Sequence, residues 1–434
     1  MRQVPLAVAV GTLLLAPGTA RAQARSITLA DAIRLSERVQ PGVVRAAGTV
    51  TTAAAQRRSV MGSYLPSVTA SSSASDFYSE GPSRVDPVTG QVISGSTTNR
   101  SVSTSLSASM DLFTGFRRGA ESRAAKAGQT AAEASLVDAR FQQALATTNQ
   151  FFNALAAAQL VKVRQASVRR AEEQLKVSVN KLLAGSATRS DTLRSRVTLG
   201  SASLDLIQAG TALASAEAEL ARLVGEPGRL QAADDSAFYQ VVAPLDTVAI
   251  RTEAEATSPL VRSTVAEADA ARAGLSAAKS AYWPSLTLGG NTSWNATGAN
   301  DYELLNQRQL TLGLRWNLFD RFDRELSITQ QSADLDVADA SAADARREVA
   351  SQLTAALAQL DAARTQIDIT QTSVVAATED LRVQQERYRL GASTIVDVLS
   401  SQEALNQAEV DVVVARFTYL RAKAQIEALI GRTL

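Results

Sequence analysis

The chain is written twice. "SYLPSVTAS" from Ser63 returns as "AYWPSLTLG" from Ala281, so Pro66 and Pro284 stand 218 positions apart, and Pro41 and Pro259 keep that offset. Further on, "DLFTGF" from Asp111 matches "NLFDRF" from Asn317, and "LAGSATRSDTL" from Leu183 matches "RLGASTIVDVL" from Arg389. "RLVG" ending at Gly225 matches "ALIG" ending at Gly431, and these later pairs are all 206 apart. The first copy therefore holds 12 extra residues between Pro66 and Asp111, which places an insertion in a loop. The copies divide as 25–240 and 241–434, with strand hairpins over 64–113 and 282–319 and helical hairpins over 116–225 and 322–431.

Four segments alternate apolar and polar residues with the period of two that marks a strand. From Ser101 to Phe113 one face carries Val102, Thr104, Leu106, Ala108, Met110 and Leu112, and the other carries serines and Asp111. Its partner in the second copy opposes Leu310, Leu312, Leu314, Trp316 and Leu318 to Gln309, Thr311, Gly313, Arg315 and Asn317. The segments leading into each hairpin, Ser67 to Phe77 and Ser285 to Asn295, alternate less cleanly. Runs of about 11 to 13 residues rise roughly 35 to 45 Å, enough to cross a bilayer at a tilt. Aromatic residues gather at the strand ends, among them Tyr64, Phe113, Tyr282, Trp283, Trp316 and Phe319, in the manner of interfacial girdles.

Everything else reads as helix. No proline interrupts Arg117 to Ala184 or Asp323 to Arg389, and an unbroken run of that size extends about 100 Å. In the second, Val349, Leu353, Ala356, Leu360, Ala363, Ile367, Thr370, Val374, Ala377, Leu381, Gln384 and Tyr388 alternate spacings of four and three, a coiled-coil seam. Phe141, Leu145, Thr148, Phe152 and Leu155 keep that rhythm in the first copy. Gly185 and Gly391 end these helices, and antiparallel return helices run to Val224 and Ile430.

Residues 1–24 combine Arg2, an apolar run from Val4 to Leu15 and small-x-small sites ending at Ala22 and Ala24, the pattern of a secretory signal peptide. No later stretch is apolar enough to span a bilayer as a helix, so membrane insertion requires strands. The 434 residues include no cysteine and no histidine, which removes disulfides, thiolate nucleophiles, zinc fingers and histidine triads. The formal net charge of +1 argues against a nucleic-acid surface. Four strands cannot close into a barrel, and open edges facing lipid leave backbone groups unpaired at several kcal/mol each, so several chains must share one barrel.

The duplication, the "YLPS" and "YWPS" strand starts, the "LF" strand ends at Leu112-Phe113 and Leu318-Phe319, and above all "YRLGASTIVDVLSSQEALNQAE" from Tyr388 resemble the TolC-like outer-membrane efflux proteins over the whole mature chain. The resemblance implies a membrane α+β fold: a homotrimer with one 12-stranded β-barrel in the outer membrane and a periplasmic α-barrel of long coiled-coil helices. The implied role is the exit duct of a tripartite efflux or type I secretion system. Such a duct meets a periplasmic adaptor and an inner-membrane pump, and it has neither catalytic site nor cofactor.

The resemblance assigns adaptor docking to the two turns, Gly185-Ser186-Ala187-Thr188 and Leu390-Gly391-Ala392-Ser393, although Gly185 and Gly391 also suit plain helix termination. It places Asp397 at the pore constriction as a ring of carboxylates. Ser400, one turn later, stands where a second aspartate is frequent, so one acidic ring is expected. Ser393 replaces an arginine that helps lock the closed end. That leaves Asp191 and Tyr388 as hydrogen-bond partners joining the hairpins, with Arg189 or Arg389 as substitutes. A local reading competes: Thr188-x-x-Asp191 and Thr394-x-x-Asp397 are capping boxes.

A periplasmic adaptor would show one helical hairpin between halves of a lipoyl-like domain, and a structural coiled-coil surface protein would lack the alternating strands. An enzyme would have only helical carboxylates such as Glu172 and Glu173, which read as a solvated face. Three methionines with no histidine or cysteine disfavour a soft-metal relay.

Overall fold

The computed structural model describes residues 25–93, 95–239, 246–298, 303–432 and 434. The assigned signal segment, the boundary between copies at 240/241 and residues 299–302 of the second strand hairpin lie outside these. In chain order the elements are β1 (Arg25–Ile27), α1 (Leu29–Val39), α2 (Pro41–Gly62), β2 (Ser67–Ser79), β3 (Arg84–Val85), β4 (Val92–Ile93), β5 (Thr97–Phe113), α3 (Arg117–Leu183), α4 (Arg189–Val224), β6 (Leu230–Ala232), α5 (Thr247–Thr257), α6 (Pro259–Ala278), β7 (Ser285–Gly298), β8 (Leu305–Arg315), α7 (Asp323–Arg389) and α8 (Ile395–Ile430). The repeat-related prolines Pro41 and Pro259 each open a helix, where a missing N–H costs nothing. No described helix is long and apolar enough to cross a membrane. The chain forms two compact units, 1–39 with 146–240 and 363–421, and 40–145 with 241–362 and 422–434. Each draws on both copies.

The second unit holds an antiparallel sheet ordered β2-β5-β7-β8, so the two hairpins join through β5 and β7. Residues directly opposite share a face. Val68, Ala70 and Ala74 of β2 therefore lie beside Ala108, Leu106 and Val102 of β5. Met110 lies beside Leu288, and Leu286, Leu288 and Gly290 beside Leu314, Leu312 and Leu310 of β8. This apolar face is exposed in the chain, with Leu310 at 78%, Leu312 at 64% and Leu314 at 71% of full accessibility. The opposite face is a wall of hydroxyls and amides: Ser67 pairs with Ser109 at 2.8 Å, Ser71 with Ser105 at 2.8 Å, Ser75 with Ser101 at 2.7 Å and Ser103 with Asn295 at 2.7 Å.

Two strand ends depart from the sequence pattern. The alternation of β8 runs on to Leu318, yet the strand stops at Arg315, which pairs with Ser285. The next partner position is Pro284, which has no N–H to donate, and Trp316 instead gives its indole N–H to the carbonyl of Tyr282 at 3.2 Å. In β5 the register shifts between Asp111 and Phe113, and Phe113 comes opposite Leu286. One extra residue at a bulge turns Phe113 onto the apolar face. The connection from β2 to β5 contains a short hairpin of β3 and β4, closed by Asp86, whose side chain accepts the N–H groups of Val88 at 2.9 Å and Thr89 at 3.3 Å.

The repeat persists in side-chain detail at the strand-to-helix corners. Arg118 lies over the ring of Tyr64 at 5.2 Å and donates to the carbonyl of Asp111; its counterpart Arg324 lies over Tyr282 at 4.7 Å and donates to the carbonyl of Asn317 at 3.1 Å. Phe113 and Phe116 meet edge to face at 5.4 Å, as Phe319 and Phe322 do at 5.7 Å. Gly115 (φ 62°) and Arg321 (φ 58°) occupy the same left-handed position. Only the first is obliged to be glycine, because an added Cβ would come within 2.6 Å of the Trp283 Cβ. Gly115→Ala is therefore expected to cost about 1–2 kcal/mol for the backbone and roughly 1–3 more for the overlap. Arg321→Ala should be nearly neutral, as the heat-denaturation midpoints of the two variants would report.

The predicted α7 seam is the buried side of that helix. In the second unit Val349, Leu353 and Ala356 pack with Ile426, Leu429 and Ile430 of α8 and with Ile250, Ala254 and Val261 of α5 and α6. In the first unit Leu381 and Tyr388 pack with Ile395, Val398 and Leu405. There Phe151 and Phe152 of α3 also hold Phe238, at 6.0 and 5.5 Å, and so anchor the segment that follows α4. Parallel pairing of β1 with β6 fixes the same segment to the stretch just before α1.

Candidate functional site

Within the first unit, both helical hairpins turn in the same way. Gly185 (φ 71°) and Gly391 (φ 79°) take the left-handed conformation that ends α3 and α7. Ser186 N–H then donates to the carbonyl of Lys181 and Ala392 N–H to that of Arg387, each at 2.8 Å, bonds related by the 206-residue repeat. Leu183 and Leu390 are 82% and 83% exposed, and Gly185, Ser186, Thr188, Gly391 and Ala392 are exposed with them. Ala187 and Ser393 are half-buried.

Each return helix begins with a capping box. Thr188 Oγ1 accepts from Asp191 N–H at 3.2 Å, and Asp191 Oδ2 accepts from Thr188 N–H at 3.1 Å. Asp397 Oδ2 accepts from Thr394 N–H at 2.9 Å, from Thr394 Oγ1 at 2.8 Å and from Ser393 Oγ at 3.2 Å. These bonds, the backbone one foremost, hold the Asp397 carboxyl below the ordinary carboxylate range. Asp397 and Ser400 are both exposed and lie one turn apart on α8. Ser400 also lines an open groove of about 510 Å³ between α4 and α8, with Leu193, Val197, Val396 and Leu399.

The hydrogen bond expected between Asp191 and Tyr388 is not made. Asp191 is engaged at its own helix start, and the Tyr388 hydroxyl is buried with the Ser178 hydroxyl of α3 as its polar neighbour. Burial pushes this phenol above its ordinary pKa, and the nearby Asp191 carboxylate adds to the shift. Arg389 pairs with Glu386 of its own helix at 3.5 Å. Ser393 likewise stays within its hairpin, its hydroxyl lying 3.1 Å from Gln384 Oε1 as well as 3.2 Å from Asp397 Oδ2.

Two residues absent from the sequence reading join the hairpins instead. The Nζ of Lys181, near the end of α3, lies 4.4 Å from the centre of the Tyr388 ring and donates to the Tyr388 carbonyl. Higher on α3, Arg170 holds Glu409 of α8 through two bonds of 3.0 and 2.7 Å and Asn406 through one of 2.7 Å. Both connections link residues more than 200 positions apart, so local pattern carries no trace of them.

A family model described as outer membrane efflux protein matches residues 33–226 and 250–432. Among solved structures, CusC, studied for the conformational changes accompanying folding and transmembrane channel formation, matches with a TM-score of 0.78 and 19% identity, over 93% of this chain and 92% of its own. The outer membrane protein VceC of Vibrio cholerae gives 0.74 and 17% over 93% and 96%. The CmeC outer membrane channel of Campylobacter jejuni gives 0.76 and 19% over 93% and 85%. At these identities the likeness is one of fold. No curated protein sequence matches.

Proposed function

We propose, from the premise that this chain belongs to the outer membrane efflux protein family, that three copies form one exit duct docked to a periplasmic adaptor and opened at its periplasmic end. The protein resides in the outer membrane with a large periplasmic helical portion. The observation that carries the trimer is the open four-stranded sheet. Its outer strands β2 and β8 pair with no further described strand, while one face is apolar from Leu286, Leu288, Leu310, Leu312 and Leu314 to Ala108 and Val68 and the other is lined with serine, threonine and asparagine. In lipid such edges must be paired, and three sheets joined edge to edge supply 12 strands with the hydroxyl face inward. The duct is passive: substrate selection falls to the inner-membrane pump, and the turns at Gly185 and Gly391 meet the adaptor.

The test is direct. Outer-membrane fractions in mild detergent should yield a heat-stable trimer that gives stepwise conductance in planar bilayers; a detergent-free soluble monomer would overturn the reading. Docking is read by a cysteine introduced at Ala392, unique in a chain without native cysteine, which should crosslink to the adaptor.

At the constriction, Asp397→Asn should lower the cation-to-anion permeability ratio several-fold while sparing the helix start, since the amide oxygen still accepts from Thr394. The depressed pKa sets the pH window. The stabilising bonds to the carboxylate are present above the unfolded pKa of about 4 and are lost as pH falls through the lower folded value. Cation preference should therefore persist at pH 5 and fade only below the ordinary carboxylate range. Bi-ionic reversal potentials measure both effects, and an unaltered ratio in the variant removes the ring.

A further inference from the structure

We infer that Lys181 is the latch between the two helical hairpins, a role that rests on the duct reading above. Its ammonium donates to the carbonyl of Tyr388 and to that of Arg389 at 3.3 Å, in the last turn of α7. Gly391 N–H already gives the Tyr388 carbonyl one bond of 3.1 Å, and the lysine adds a charge at the negative end of the helix dipole. The same ammonium lies 4.4 Å from the Tyr388 ring centre, so it meets two features attractive to a cation at once. A charge from the first copy thus completes a helix end of the second.

The repeat shows that this is a specialisation. The counterpart of Lys181 is Arg387, whose guanidinium reaches Ala392 of its own turn at 3.3 Å. The counterpart of Tyr388 is Leu182, which offers no ring face. The crossing therefore runs in one direction only. Tyr388 contributes its ring and its carbonyl to the latch.

The second connection differs in kind. Arg170 stands 11 residues earlier on α3, about 16 Å along the helix. Its planar fork grips Glu409 in two bonds, a geometry that resists sliding. Lys181 is a point charge against two carbonyls and a ring, which release it without a strict angular requirement. Arg170 acts as the pivot, and the turn swings free when Lys181 lets go.

The experiment uses full-length trimers in which one chain carries spin labels at S186C and A392C, one in each turn, diluted with unlabelled chains. K181M keeps the length of the stem and loses the charge. It should lengthen and broaden the label-to-label distance distribution and raise mean bilayer conductance several-fold. K181R should return both close to wild type, a rescue that a purely packing role would not give. An unchanged distance distribution in K181M overturns the latch. A wild type that never conducts would sink the duct reading and leave the distances to decide Lys181 alone. Should K181M fail to assemble, Y388L removes the ring and leaves the lysine and carbonyls; a smaller shift in the same direction supports the latch, and none overturns it.

Discussion

Leu312→Arg is expected to abolish heat-stable trimers in the outer membrane. Leu312 is the middle of the three leucines that β8 sets on the apolar face, between Leu310 and Leu314, and lies opposite Leu288. An arginine on the lipid side of a barrel near the bilayer midplane costs roughly 2–4 kcal/mol, and a symmetric trimer incurs it three times. The neighbouring substitution is the control. Thr311 points to the other face, opposite Gly289, among Gln309 and the β5 serines, and Thr311→Arg should assemble normally and alter conductance instead. Heated and unheated gels of outer-membrane fractions read both. If Leu312→Arg assembles and Thr311→Arg does not, the two faces have been assigned the wrong way round.

Gly391→Trp should leave trimers intact and abolish export. The left-handed backbone at Gly391 penalises any side chain by about 1–2 kcal/mol, which helices of 67 and 36 residues absorb. Nothing lies within 4 Å of the position a Cβ would take, so the indole projects outward from the turn into the space an adaptor would need. Loss of resistance to exported compounds with unchanged trimer yield is the expected outcome. Normal export would reduce Gly391 to a helix terminator and remove the docking role from that turn.

Much of the fold is legible because its punctuation is local. Gly185 and Gly391 mark helix ends that the structure keeps, and the alternation over Ser101–Phe113 needs only period two. The exceptions share a cause. Trp316 and Leu318 continue the alternation, but a strand exists only where a partner can bond, and Pro284 withholds the donor. The capping boxes at Thr188 and Thr394 could be read from four residues each, whereas the contact of Lys181 with Tyr388 depends on where two distant hairpins come together. Asp191 illustrates the competition between scales. Its carboxylate serves the adjacent helix start, three residues away, in preference to a phenol from the other copy.

The pairing of β5 with β7 carries a consequence for biogenesis. Ser103 meets Asn295 across 192 residues, so the central seam of the sheet has no partner until most of the polypeptide has emerged. Closing so long an excursion is entropically slow, and an isolated first hairpin is marginal in water. Translocation across the inner membrane therefore delivers a chain whose amino-terminal hairpin must wait, bare-edged, for the carboxyl-terminal half. During that interval its serine-rich strands, sparing in bulky apolar residues, are slow to aggregate.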